Sequence, residues 1–97
     1  MKEEKEIYKS REGRIVRIVL ADGGPWFCAV DVLKVAGLKL QQNTLNRMMP
    51  GETARKVIDG SSMRCVSFAG LLTLIPPKQE YYKARKLIVE LIQAYSK

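Results

Sequence analysis

Residues 14–36, RIVRIVLADGGPWFCAVDVLKVA, decide the fold of this chain. The run Arg14–Leu20 is rich in β-branched residues and alternates in part, which predicts a strand. Residues 21–24 carry an Asp-Gly turn signal, because that pair readily supplies the positive φ angles of tight hairpins. The aromatic and apolar run Trp26–Val30 predicts the returning strand. We therefore predict a β-hairpin over residues 14–30.

Two short helices are predicted to follow the hairpin. Asp31 is expected to cap the first helix, and Gly37 fits the position just after its last turn, where a left-handed conformation is common. The second helix is predicted over residues 41–48, with Pro50-Gly51 ending it.

Two further strands and two further helices are predicted in the second half of the chain. Residues 54–58 and 62–66 are predicted strands on either side of an Asp-Gly turn. Ser67 is expected to cap a third helix, which Pro76-Pro77 would end. A longer helix is predicted over residues 78–96. The expected fold is α+β: a small sheet of β-hairpins packed with short helices and a longer C-terminal helix.

The final predicted helix carries apolar residues with spacings of three and four, as in a heptad seam. The seam comprises Tyr81, Ala84, Ile88, Leu91 and Tyr95. Such a seam packs either on the domain's own core or on a second copy in a homodimer, and both interpretations stay open at this point.

The charge of the chain is concentrated in one part of it. The 97 residues predict a single domain, and the net charge is +7. Positive and negative charges cancel within residues 1–12, which we interpret as a polar, frayed N-terminal arm. The whole excess therefore lies in residues 13–97, the predicted folded domain. A basic domain attracts polyanions over a Debye length of about 8 Å.

Composition also argues against several functional classes. No apolar run approaches a membrane span of about 18 residues, and the charged N-terminus does not resemble a secretory leader. Cys28 and Cys65 are expected to be reduced and buried in a cytoplasmic protein. The chain has no histidine, which excludes histidine-based catalysis and histidine metal ligands. No phosphate-binding loop or nucleophile motif is present. We expect no enzyme activity, no cofactor, no metal and no membrane association.

The predicted helix over 41–48 has side chains suited to reading DNA. Amides pair with adenine and guanidinium groups pair with guanine. The candidate base contacts are Gln41, Gln42, Asn43, Thr44, Asn46 and Arg47, whereas Leu45 and Met48 can face the core. The candidate phosphate contacts are Lys34, Lys39, Arg55, Lys56 and Arg64. An amide-rich helix face can equally be a solvated surface.

The aromatic pair Trp26-Phe27 allows two interpretations. As core residues, the two rings anchor the hairpin on the helices, which is the interpretation that we favour. As an exposed platform, they would stack on the bases of a single strand, and only Trp26 has neighbours that permit exposure.

Three motifs of the chain occur in the order typical of the Bro-N domain of phage antirepressors and baculovirus repeated-ORF proteins. The first is a strand that ends in aromatic residues and enters an Asp-Val helix start, at residues 25–32. The second is the Gly-Leu helix of residues 67–75, and the third is a closing helix with Ala84 and Lys86. The chain resembles that family over about residues 13–95. The resemblance implies an α+β domain, DNA binding and a phage setting within a bacterial host cell.

These observations lead to two functional hypotheses, beside a third possibility of structural homo-oligomerisation alone, which predicts a dimer that ignores DNA at low salt. In the first, the chain is a non-catalytic DNA-binding regulator of the antirepressor type whose partner is double-stranded DNA. In the second, it is a protein-interaction module that binds a repressor or host protein without contacting DNA, since an acidic partner would suit the basic surface.

Overall fold

A computed structural model describes residues 4–10, 13–21, 24–39, 42–75 and 79–96. Within these ranges a single antiparallel sheet packs against helices, so the predicted α+β class is confirmed. The strands are Glu4–Lys9 (β1), Ile15–Ala21 (β2), Gly24–Cys28 (β3), Thr53–Ile58 (β4) and Ser61–Val66 (β5). Their order across the sheet is β1-β2-β3-β5-β4.

Four helices accompany the sheet in the described ranges. They are Ala29–Ala36 (α1), Gln42–Asn46 (α2), Phe68–Leu74 (α3) and Tyr82–Tyr95 (α4), and a 3₁₀ turn over Gln79–Tyr81 leads into α4. None of these helices has the length and apolar character needed to cross a bilayer.

The two faces of the sheet carry separate apolar clusters. Because side chains alternate along a strand, Val16 and Ile18 of β2 point to the helices, whereas Val19 points to the opposite face. The main core lies between the first face and helices α1, α3 and α4. The second cluster contains Val19, Cys28, Ile58 and Cys65. Strands β2 and β4 are not neighbours in the sheet but contact each other, so the sheet curls over this second cluster.

The first hairpin forms as predicted from residue 15 to Cys28, and its Asp22-Gly23 turn lies outside the described residues. The prediction fails at its end, because Ala29 and Val30 belong to α1 and not to β3. Asp31 is consequently in the first turn of α1 and is not its N-cap, a position taken by Cys28. The carboxylate of Asp31 is drawn instead to the guanidinium of Arg17.

Two predicted helix ends are confirmed. Gly37 follows α1 with a φ of 76°, and its amide and that of Leu38 donate to carbonyls of the last helical turn. Ser67 caps α3: its hydroxyl accepts a hydrogen bond from the amide of Gly70 at 3.3 Å. The Pro76-Pro77 pair, predicted to end α3, lies outside the described residues; the described helix ends at Leu74.

The N-terminal segment differs from the frayed arm that its composition suggested. Glu4–Lys9 form β1, which pairs with β2 along its full length at the edge of the sheet. Charged side chains are common on edge strands, because they oppose pairing of the open edge with another chain. Tyr8 packs against the main core, and its hydroxyl donates to Glu90 of α4 at 3.0 Å.

The seam of the final helix packs on the domain's own core. Ala84, Ile88 and Leu91 are buried, and Tyr81 and Tyr95 are half-buried against the same cluster. The packing interpretation therefore accounts for the seam within one copy of the chain.

Candidate nucleic-acid interface

Helix α2, the predicted reading helix, is shorter than expected. It comprises five residues, Gln42–Asn46, and Arg47 follows it in a turn. Gln41 lies outside the described residues, as do the side chains of Gln42 and Asn43. Thr44 is half-buried, whereas Asn46 and Arg47 are exposed. Asn46 and Arg47 are thus the candidate base contacts whose side chains are shown at the surface.

The opposite side of α2 fixes it to the domain. Leu45 and Met48 are buried in the main core, as their spacing predicted. Just beyond, the carboxylate of Glu52 accepts hydrogen bonds from the amide of Met49 at 2.8 Å and from the hydroxyl of Thr73 at 2.5 Å. The segment after α2 is therefore held against α3.

The five candidate phosphate contacts lie on three parts of the surface. Lys34 is exposed on α1, and its carbonyl accepts a hydrogen bond from Arg14. Lys39 is exposed in the segment after α1. Arg55, Lys56 and Arg64 all lie on the hairpin of β4 and β5.

Arg55 and Arg64 are directly opposite each other in the register of β4 and β5. Opposite residues of an antiparallel pair share a face, with Cβ atoms about 4.5–5.5 Å apart. Arg55 is exposed and Arg64 is half-buried. The next pair toward the turn on this face is Val57 and Ser62, both exposed. We call these four residues, Arg55, Val57, Ser62 and Arg64, the hairpin strip.

The other face of the same hairpin is packed onto the domain. Ile58 and Cys65 are buried in the second cluster, and Met63 packs against it. The ammonium of Lys56 lies 5.5 Å from the centre of the Trp26 ring, a cation–π arrangement. Lys56 is therefore engaged within the domain and differs in setting from Arg55 and Arg64.

A tight turn joins the two strands of this hairpin. Asp59 and Gly60 have φ angles of 52° and 82°, and positive values at both residues are typical of a type I′ turn. The sequence predicted both strands and that they pair as a hairpin, but not their register, so Val57 and Ser62 were not among the predicted contacts. The Asp-Gly pair taken as a two-residue turn would have given the register.

Three acidic side chains in the described part of the chain, Asp31, Glu52 and Glu90, make internal contacts. Asp31 accepts from the backbone amide and the guanidinium of Arg17 at 2.8–3.1 Å. Burial disfavours the charged form of Asp31, but the hydrogen bonds and charge of Arg17 outweigh it and lower the pKa of the carboxyl group. Glu52 and Glu90 also accept internal hydrogen bonds.

Several basic side chains, by contrast, have no acidic partner among the described residues. No carboxylate lies within ion-pairing distance of Lys39, Arg47, Arg55 or Arg64 in the described ranges. No described carboxylate therefore pairs with the positive charge of these four side chains.

The aromatic pair is divided between the two faces of the sheet. Phe27 is fully buried, with its ring centre 5.6 Å from that of Phe68 and 5.9 Å from that of Tyr95. Trp26 is half-buried on the other face, beneath Lys56. The core interpretation holds for Phe27, and Trp26 keeps a partly accessible ring.

The two cysteines are free thiols, buried and opposite each other across β3 and β5. Burial raises the pKa of both, that of Cys65 to about 12. A thiol is a poor nucleophile and metal ligand while it stays protonated. The described residues contain no group of three or more Cys, Asp or Glu side chains placed to hold a metal ion.

In comparisons with known proteins, no family model, no curated protein and no solved structure matches the chain.

Proposed function

We propose that this chain is a non-catalytic DNA-binding domain whose partner is double-stranded DNA. The observation that carries the proposal is the imbalance of its charges. Asp31, Glu52 and Glu90 are occupied by internal hydrogen bonds, whereas Lys39, Arg47, Arg55 and Arg64 have no carboxylate partner among the described residues. The resemblance to the Bro-N family supports a regulatory role of the phage antirepressor type.

The physical basis is counterion release. Each cation that neutralises a phosphate of duplex DNA displaces condensed counterions, so affinity falls steeply as salt rises. Exposed Lys39 and Arg47 can approach phosphates without first breaking an ion pair of the domain. The energy of DNA contact is then not reduced by the cost of separating an existing pair.

Fluorescence anisotropy with a random-sequence duplex, at two salt concentrations, tests this function. We expect the affinity to fall at least about 100-fold between roughly 50 and 200 mM salt if several phosphates are contacted. The Lys39→Ala variant should weaken binding to every sequence and reduce the salt slope by about one unit. Absence of binding at the lower salt concentration would contradict the proposal.

A second candidate function is binding of a repressor or host protein, and one surface of α4 favours it. Tyr82 is 61% exposed and Val89 is 52% exposed. Residues seven apart share a helix face, and Arg85 and Lys86 lie between these two in the sequence. An apolar face with basic neighbours suits an acidic protein surface.

The two functions differ in the effect of Val89→Asp. If the chain works through an acidic protein, this substitution should abolish that complex, because it places a charge in the apolar contact. It should leave the DNA titration unchanged if the DNA surface lies elsewhere. A chain that ignores DNA at low salt and binds its partner only with Val89 intact would replace the first proposal by the second.

A further inference from the structure

Strands β4 and β5 form a two-stranded antiparallel ribbon, an element that can contact DNA bases in the major groove. We propose that this hairpin enters the major groove of duplex DNA and that the hairpin strip, Arg55, Val57, Ser62 and Arg64, contacts base edges there. The inference rests on the proposed DNA-binding function and assigns base reading to the hairpin in place of α2.

The first argument is that the hairpin is fixed on one face and open on the other. Ile58 and Cys65 are buried in the second cluster, so one face is anchored to the domain. On the other face Val57 is 57% exposed, although it is an apolar residue in a regular strand. Arg64 lies two residues before Val66 on β5, so the two side chains share a face of the hairpin. Val66 is buried in the main core, and the hairpin strip extends from it toward the turn. The open face therefore projects from a rigid base.

The second argument comes from the pairing of Arg55 with Arg64. Like charges directly opposite each other on neighbouring strands are destabilising. No carboxylate among the described residues compensates this pair. Acceptor groups supplied by a ligand would relieve the repulsion, so the pair is suited to binding and unfavourable in the free domain.

The third argument is the match between the strip and the major groove. This groove accepts a two-stranded ribbon as well as a helix. Arginine binds the O6 and N7 atoms of guanine with two hydrogen bonds, an apolar side chain contacts the thymine methyl group, and serine pairs with several base edges. Strands of six residues are about 20 Å long, enough to follow several base pairs.

The geometry favours duplex DNA over duplex RNA as the ligand. The major groove of A-form RNA is deep and narrow, and side chains do not reach its base edges.

Asp59 at the turn is exposed and negative, so it disfavours close phosphate contact at the tip of the hairpin. This placement favours a contact made by the side of the hairpin, where the arginines lie.

The test begins by selecting a preferred duplex from a random DNA pool with the wild-type chain. Dissociation constants are then measured for the selected duplex and for a scrambled one. The Arg55→Lys/Arg64→Lys variant keeps both charges but loses the bidentate geometry. We expect its affinity for the selected duplex to fall on the order of 100-fold, about tenfold for each arginine, with little change on the scrambled duplex.

A control variant removes two charges outside the hairpin strip. Lys9 and Lys83 are exposed, on β1 and α4 respectively, and lie outside the strip. The Lys9→Ala/Lys83→Ala variant should preserve the ratio of the two affinities. Replacing guanine by 7-deazaguanine in the selected duplex removes the N7 acceptor, so it should weaken binding by the wild-type chain more than binding by the double-lysine variant.

Several results would overturn the hairpin assignment while DNA binding itself persists. The assignment is wrong if the double-lysine variant keeps the preference for the selected duplex, or if only Arg47→Ala loses that preference. It is also wrong if an RNA duplex of the same sequence binds equally well, or if the selection yields no preferred duplex. Failure to bind any duplex at low salt would instead overturn the proposed function. The Lys substitutions are at solvent-accessible positions, and circular dichroism verifies that the variant is folded.

Discussion

Replacing Asp31 by Asn should test how the first helix is fixed to the sheet. One carboxylate oxygen of Asp31 accepts from the backbone amide and the Nε of Arg17 at 2.9 and 2.8 Å, and the other accepts from Nη2 at 3.1 Å. These bonds join β2 to α1. The side chains of Asp31 and Arg17 are 12% and 32% exposed, so solvent screens the pair only in part.

The expected loss follows from these contacts. An Asn side chain can keep the two bonds to its oxygen but presents an NH₂ group to Nη2, so one bond and the charge attraction are lost. Hydrogen bonds to charged groups contribute about 1.5–3 kcal/mol each, so we expect Asp31→Asn to lower the free energy of unfolding by about 2 kcal/mol. Asp31→Ala should cost about 3 kcal/mol, at the low end for a buried pair because solvent still reaches it.

Urea denaturation at neutral pH measures both losses, and the m-value should not change. Arg17→Met provides a double-mutant cycle, in which we expect a coupling energy of about 1–3 kcal/mol with Asp31→Asn. A loss below about 0.5 kcal/mol, within the range of ordinary surface substitutions, would refute the reasoning. Additive effects of the two substitutions would do the same.

The pH dependence has a defined sign. The pKa of Asp31 is lower in the folded chain than its ordinary value of about 3.9, so the carboxylate stabilises the fold above that pH. This contribution is lost as the pH falls from about 4 through the folded pKa. The difference in stability between the wild-type chain and Asp31→Asn should therefore shrink on acidification.

Three further predictions concern the core and the helix ends. A Cβ on Gly70 would overlap the carbonyl oxygen of Glu52 and lie 2.7 Å from Cβ of Val66, so Gly70→Ala should lower the free energy of unfolding by about 3 kcal/mol in urea titrations. An unchanged midpoint would show that the loop at Glu52 yields. Ser67→Ala removes the cap of α3 and the hydrogen bond to the carbonyl of Gly51. We expect the free energy of unfolding to fall by about 1 kcal/mol in the same assay, with Ser96→Ala as a surface control. The buried thiols should react with Ellman's reagent at pH 8 at least about 100-fold more slowly in the native chain than in urea, since burial raises the pKa of both; equal rates would contradict their burial.

Local sequence signals predicted much of the fold. Gly37 and Ser67 marked helix ends because their preference for those positions depends on one or two neighbouring backbone groups. Asp59-Gly60 marked a turn for the same reason. The strand β2 was predicted from a run of β-branched residues, and β4 and β5 from their places on either side of the Asp-Gly turn, each within one residue of its observed bounds.

Features that depend on distant partners were not predictable in this way. Asp31 has the character of an N-cap, yet the guanidinium of Arg17, fourteen residues earlier, determines its role. Residues 4–9 have no apolar pattern, and they form a strand because β2 offers an open edge. The neighbours β3 and β5 are separated in the chain by α1, α2 and β4, so their pairing has no local signal.

The assignment of base reading illustrates the same division. The polar side chains of residues 41–47 pointed to a reading helix, because composition can be recognised without knowing the fold. The hairpin strip becomes visible only when register places Arg55 opposite Arg64 and the alternation of β4 and β5 assigns Ile58 and Cys65 to the packed face. Arginines scattered in sequence are then neighbours on an open surface, and their uncompensated charge can be attributed to one element. For a small basic domain, the pairing of strands is therefore as informative about a DNA-binding surface as the composition of its helices.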